Sequence, residues 1–348
     1  MNLAIQASFP VRDYDLAATL GSGQAFRWRP VGDAWEGIVA GRWLRLRQVG
    51  DHLHVETTAP QADWHWLRHF LQLDAELPAI LASFPDDPPM RAAVAACRGL
   101  RLLRQEPWEC LVSFICSSTK QIVQIQQIIA LLCERFGEPV AVGDDVDSPP
   151  APVGRDCFKP QLERSEAGAV SISAEGAASQ ATRFARASCV GRWGSTESHP
   201  TGDAGVAATA FVFPSAARLA ACSEAELRTC KMGFRAPYIL AAAQAVASGQ
   251  LDLAELHRLP TEHARAALVG LHGVGRKIAD CVLLFAYGKQ DAFPVDVWVR
   301  RALTELYFPR RRPSEIRLAH FANTHFGPNA GYAQQYLFHY VRVKKSSE

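Results

Sequence analysis

The chain has little charge of one sign in excess, no long apolar run and no organised cysteine pattern. Its 348 residues carry 37 Lys and Arg against 35 Asp and Glu, a formal net charge of +2. A partner as acidic as a nucleic acid must then be met by a local arrangement of charge, not by a basic surface. No stretch approaches the roughly 18 apolar residues of a membrane-spanning helix, so no membrane partner is expected. The nine cysteines are scattered, odd in number and free of any CxxC pair. That usage excludes a disulfide scaffold and fits free thiols in a reducing compartment. No apolar leader follows Met1, and the expected location is a bacterial cytoplasm beside the nucleoid, or a nucleus if the source is eukaryotic. The last cysteine is Cys281, so a C-terminal four-cysteine iron–sulfur cluster is excluded. HExxH is absent, and His65 and His69, four apart on a Trp- and Leu-rich stretch, read as a helix face. No metal and no cofactor is expected.

What is present has three characters. Up to about residue 60, short runs alternate apolar and polar residues between turns, as in Ala25 to Trp28, Trp35 to Val39, Trp43 to Arg47 and Leu53 to Thr57. Leu44 and Leu46 would face one way and Arg45 and Arg47 the other, as in an antiparallel sheet with one solvated face. From Asp63 the period becomes helical, and Trp108 to Phe136 keeps helix spacing as far as Gly137. Between 141 and 208 the chain turns to Ala, Ser, Gly, Asp and Pro, with Cys157 and Cys189 isolated in it. Such a segment buries too little to offset its ordering entropy and reads as a disordered insertion. The expected organisation is a sheet domain over 1–95, helical domains over 96–140 and 209–348, and the insertion at 141–208.

The chemistry-bearing stretch is Leu271-His272-Gly273-Val274-Gly275-Arg276-Lys277-Ile278-Ala279-Asp280-Cys281. A helix ends, two glycines make a hairpin over 271–277, and a second helix begins. Gly273 and Gly275 allow positive φ, and with Val274 they leave N–H groups open at a helix start, a seat for a phosphate. Taken alone, the turn is equally an ordinary helix–turn–helix link. Lys277 is either a phosphate contact or a nucleophile. Asp296, in Phe293-Pro294-Val295-Asp296-Val297-Trp298, is placed to cap a helix running from Val297 to Tyr307, and a capping carboxylate is also a pre-positioned charge. Cys281 would by default be a buried apolar thiol.

Helix, GVG hairpin, helix and Pro-Val-Asp turn together resemble the helix–hairpin–helix superfamily of DNA glycosylases. Lys277 with Cys281 resembles its lyase-competent 8-oxoguanine branch. Three further segments agree: Gly21-Ser22-Gly23-Gln24-Ala25-Phe26-Arg27-Trp28, the stretch from Gly99 through Glu109-Cys110 to Ser117-Ser118, and Gly331-Tyr332-Ala333-Gln334 with Leu337-Phe338. The resemblance implies an α+β fold in which a twisted, TBP-like antiparallel sheet precedes two helical lobes carrying the hairpin. It implies a monomer acting on damaged double-stranded DNA by base flipping. Lys277 would attack C1′ and Asp296 would stabilise the charge developing on the sugar. Cys281 and Phe338 would sandwich the base, Gln334 would read its Watson–Crick edge, Pro294 would line the pocket, and the Gly23 carbonyl would accept N7–H, the proton that guanine lacks. The Cys281–Lys277 pair would present a dipole to the altered base.

Three positions depart from that pattern. Thr119 stands where an asparagine fills the gap left by the flipped base, Gln124 where an arginine reads the orphaned cytosine, and Trp298 where a histidine follows the aspartate. Phe234 and Arg235 keep the aromatic wedge and its arginine. Weaker dependence on the opposite base is expected. The alternatives are a helix–hairpin–helix glycosylase for alkylated bases, which lacks the lysine, and a non-catalytic DNA-binding module, which needs none of Lys277, Cys281, Asp296 and Gln334 together.

Overall fold

The computed structural model describes residues 5–143, 209–309, 311 and 313–347. Alternating residues build a five-stranded antiparallel sheet from β1 (Ile5–Pro10), β2 (Arg29–Val31), β3 (Ala34–Val39), β4 (Arg42–Val49) and β5 (His52–Thr57), in spatial order β1-β5-β4-β3-β2. Across β4 and β5, Leu46 pairs with Val55 and Arg47 with His54. Leu44, Leu46, Leu53 and Val55 are fully buried while Arg47 is exposed, the period of two that one covered face requires. The β3–β4 hairpin turns through Ala40 and Gly41, both at positive φ, the backbone twist that a tight two-residue hairpin needs.

The sheet differs from expectation at its start. Ala25 to Trp28 is not a strand, and pairing begins only at Arg29. Phe26 and Trp28 are drawn instead into two different hydrophobic clusters, one among the helices and one under the sheet. β1 and the helix α1 (Leu16–Gly21), capped by the Asp15 carboxylate on Ala18 N at 2.8 Å, add to the elements expected from the pattern of residues.

Behind the sheet, α2 (His65–Leu71) contributes Leu67, Phe70 and Leu71 to the core. Then come α3 (Leu77–Ala82), α4 (Pro88–Ala96), α5 (Pro107–Cys116) and α6 (Ile122–Phe136). The stretch expected to run as helix from 108 to 136 is two helices. Thr119 is left-handed at φ 56°, and Ser117 Oγ turns back to donate to Phe114 O at 2.7 Å. Polar hydroxyl residues that bond their own backbone compete with helix at this point. Short strands β6 (Pro139–Ala141) and β7 (Thr209–Phe211) pair antiparallel, Val140 with Ala210. The expected insertion lies, from residue 144 to 208, outside the described residues.

The remaining helices are α7 (Ala216–Ala220), α8 (Glu224–Arg228), α9 (Ala236–Ala247), α10 (Thr261–Val269), α11 (Arg276–Phe285), α12 (Val297–Tyr307), α13 (Glu315–His325) and α14 (Ala330–Ser347). α11 is buried from Ile278 to Phe285 and packs on α5 and α10, with Phe285 stacked on Phe114 at 5.4 Å. Each fully buried leucine there contributes about 1.5–3 kcal/mol, which makes α11 a rigid mount for Lys277 at its start. α12 packs on α14, and Asp296 at its start lies within electrostatic reach of Arg342 on α14. Among the described residues no helix is long and apolar enough to cross a membrane. The architecture is α+β.

Candidate active site

Gly275 caps α11 and Lys277 is the second residue of that helix. The hairpin before it depends on Gly273, which is left-handed at φ +84° and lies so close to Tyr238 that a Cβ would stand 2.2 Å from the ring. Val274 is buried and its N–H donates to Leu271 O at 3.1 Å. A buried pair, Arg265 Nε to Asp280 Oδ1 at 2.5 Å, ties α10 to α11.

Lys277 Nζ donates to Ser117 Oγ at 2.9 Å and stands 5.4 Å from the centre of the Phe114 ring. Helix α5 thus supplies the two groups that aim the amine. Cys281, one turn beyond Lys277, is buried. Burial pushes its thiol up to about 12 against the opposing pull of Lys277, so near pH 7 Cys281 is a neutral thiol. Asp296 lies within electrostatic reach of Cys281. Its side chain accepts from Val299 N at 2.8 Å, so it is the cap of α12 and a charge beside the lysine pocket at once. Pro294, buried two residues earlier, restricts the backbone leading into it.

A second group of residues faces this one. Gly23 has φ +84°, and a Cβ there would lie 2.8 Å from Ile122, 2.9 Å from Arg342 Nη1 and 3.5 Å from Phe338. Gln334, one turn before Phe338 on α14, is buried, and its Oε1 accepts no hydrogen bond among the described residues. An orphaned buried acceptor costs about 1–3 kcal/mol; a bound donor would remove that cost.

A rim runs from the hairpin to the α5–α6 turn. Phe234 is 51% exposed, and its ring meets Tyr238 at 6.0 Å, which in turn meets His272 at 4.7 Å. Arg235 points inward, buried, and donates to Met232 O, Ser118 O and Thr119 Oγ1. Trp298 sits half-buried in the first turn of α12, beside the exposed Val297. Gln124 is not part of either pocket group: it is exposed on α6, and its Oε1 accepts from Gln121 N at 3.1 Å. Among the described residues no group of three or more His, Cys, Asp or Glu could hold a metal ion.

Two family models match the chain: the 8-oxoguanine DNA glycosylase N-terminal domain over residues 7–111, and the HhH-GPD superfamily base excision DNA repair protein over residues 178–325. Over these two segments the chain is similar to the 8-oxoguanine DNA glycosylases of that superfamily. It is 27% identical over 343 residues to a probable N-glycosylase/DNA lyase of Methanothermobacter thermautotrophicus, covering 96% of this chain and 95% of the relative. It is 27% identical over 352 residues to the N-glycosylase/DNA lyase OGG1 of Arabidopsis thaliana, covering 95% and 79%. A solved structure of MBOgg1 in complex with a low affinity DNA ligand superposes with a TM-score of 0.77 at 28% identity, covering 98% of this chain and 96% of that one.

Two residues of this 8-oxoguanine glycosylase fold do more than their sequence suggests. Ser117 carries no signal beyond its place in a matching segment, yet it is the hydrogen-bond partner of Lys277. Gln24 is fully buried and builds the Gly23 turn: its Nε2 donates to Thr19 O and Arg101 O at 2.8 Å, and its Oε1 accepts from Leu103 N at 2.8 Å. Gln24→Leu orphans Arg101 O and Leu103 N at about 1–3 kcal/mol each, not fully additive, and leaves Thr19 O with Ser22 Oγ as its donor. A loss of about 2–5 kcal/mol in urea unfolding is expected. A loss under about 1 kcal/mol would mean that the turn closes without the glutamine.

Proposed function

We propose that the protein is a base-excision-repair glycosylase that removes 8-oxoguanine from duplex DNA and then nicks the strand as a β-lyase. The observation that carries the reading is the orphaned Oε1 of buried Gln334, one turn from Phe338, whose ring approaches Gly23. A guanine-type base offers N1–H and N2–H donors on the edge this oxygen would read. Phe338 and Cys281 take the two faces of the base, and the Gly23 carbonyl accepts N7–H. Phe234 fills the stack that the base leaves, while the N–H groups of Gly273 and Gly275 hold a phosphate, the Val274 N–H being engaged by Leu271 O.

The chemistry follows from the lysine. The Nζ lone pair of Lys277 bonds to C1′ as the C1′–N9 bond breaks and its electrons leave with the base. Asp296 supports the positive charge on the sugar during that displacement. Loss of a proton from nitrogen and opening of the sugar give an imine. The imine makes C2′–H acidic, and removal of that proton expels the 3′ phosphate. The neutral Cys281 thiol can pack on the base without placing a second anion against Asp296. These steps need no metal or cofactor. The protein acts as a monomer, in the compartment that holds the DNA, bacterial cytoplasm or nucleus.

Borohydride reduction during reaction with an 8-oxoguanine duplex tests the assignment: a covalent protein–DNA adduct is expected, and its absence would remove the lyase. Opposite-base preference follows from the rim. Thr119 is engaged by Arg235, and neutral Gln124 is engaged in capping α6, so neither presents a cation to an orphaned cytosine. Excision rates opposite the four bases are expected to agree within about tenfold, the loss of one charge-assisted contact. A preference for cytosine of about a hundredfold would overturn this.

A further inference from the structure

We propose that Arg342 is a specificity-determining residue that reads the C8 oxygen of an oxidised purine. Arg342 follows Phe338 by four residues on α14, so the two share one helix face. Its guanidinium lies 5.2 Å from the centre of the Phe338 ring, and its Nη1 donates to Ser22 O at 3.1 Å. That nitrogen is also 2.9 Å from where a Cβ of Gly23 would be. A base resting on Phe338 with its five-membered edge towards Gly23 therefore meets Arg342 on the same edge.

The chemistry of that edge decides what the pair selects. An 8-oxopurine presents a donor, N7–H, next to an acceptor, the C8 oxygen. Guanine presents an acceptor, N7, next to a C–H. The site offers the complement of the first: a backbone carbonyl at Gly23 beside a guanidinium, which only donates. Guanine would set N7 against the carbonyl and a C–H against the cation, so two mismatches act together. Two points of reading answer the difficulty that one hydrogen bond is too little to exclude the far more abundant normal base.

The electrostatics suit the role. Burial lowers the pKa of Arg342 while Asp296 acts to raise it, so the guanidinium stays charged beside the carboxylate. His339, nearby on the same helix, is pulled down to about 4 by burial and by Arg342, and is neutral near pH 7. The positive charge facing the C8 oxygen is therefore that of the arginine.

The inference rests on the reading that Gly23 and Phe338 seat the base, and the experiment separates the two. Affinities are measured for duplexes carrying 2′-fluoro-8-oxoguanosine, 2′-fluoroguanosine or a tetrahydrofuran abasic analogue, none of which is cleaved. Arg342→Ala is expected to weaken the 8-oxoguanine duplex by about 10- to 100-fold, the loss of a charge-assisted hydrogen bond, and to leave the abasic duplex within about twofold. Arg342→Lys, which keeps a charged donor, is expected to recover most of that loss. The turn survives either change, because Gln335 Nε2 also donates to Ser22 O, at 3.3 Å. Equal weakening on the abasic duplex, or no weakening on either, overturns the role of Arg342 alone. A wild-type protein that binds guanine and 8-oxoguanine duplexes alike overturns the base pocket and this proposal with it.

Discussion

Lys277→Gln is expected to leave a protein that folds and binds lesion-containing duplex but forms no covalent adduct with it. The amide N–H can still donate to Ser117 Oγ at the end of α5. It is one bond shorter than lysine but still fills most of the space beside Phe114. Little stability should be lost, since neither neighbour is orphaned. An amide nitrogen, however, has its lone pair delocalised into the carbonyl and cannot attack C1′. The imine cannot form, and with it goes the acidity at C2′ that drives β-elimination. Borohydride trapping and strand nicking should both fall below detection, a loss of at least about a thousandfold, while lesion affinity stays within about tenfold; removing a catalytic group characteristically separates rate from binding in this way. Trapping that persists in the variant would assign the nucleophile to another amine and undo the mechanism. Loss of trapping together with loss of binding would instead make Lys277 a phosphate contact.

Much of the site is legible in the sequence, because its chemistry is local. The Gly273-Val274-Gly275 hairpin, Lys277 at the helix start and Asp296 at the next helix start are each set by neighbours in the chain, through positive φ, an exposed helix N-terminus and a capping carboxylate. The residues that sequence does not reveal are those whose role is set by distant segments. Ser117 becomes the partner of Lys277 across 160 positions only because α5 packs on α11. Gln24 looks like a solvated glutamine in a polar turn until Arg101 and Leu103 arrive from 77 and 79 positions away. The same reasoning explains the two errors of element. Ala25 to Trp28 alternates like a strand, yet Phe26 and Trp28 are taken up by two separate cores, and tertiary burial outweighs local pattern. Trp108 to Phe136 keeps an apolar period across the α5–α6 turn because both helices bury the same side; the break is carried by Ser117, Ser118 and Thr119, whose preference for turns the periodicity does not register. Arg342 is hidden for a related reason. In the sequence it is one of several basic residues near the C-terminus, and only the approach of Gly23 to α14 gives its charge an address.

Asp296→Asn is expected to cost on the order of 100-fold in base excision and almost nothing in stability. The carboxylate has two duties that the structure superimposes: it accepts from Val299 N at 2.8 Å as the cap of α12, and it supplies negative charge beside Cys281 and Arg342. Asparagine is as good a cap as aspartate, differing by no more than roughly a few tenths of a kcal/mol, so the substitution removes the charge and leaves the helix start. Alanine would remove both, with about 1 kcal/mol of stability lost in addition. The charge matters because the sugar becomes cationic as the glycosidic bond stretches, and a fixed anion in a partly desolvated site stabilises that state without reorganising; deleting such a group costs about 10²–10³ in rate. The Asn and Ala variants should therefore share a similar loss in single-turnover excision of 8-oxoguanine and differ in thermal unfolding. If asparagine keeps more than about a tenth of the wild-type rate, the cap is the only duty of Asp296, and the positive charge on the sugar is met by another group.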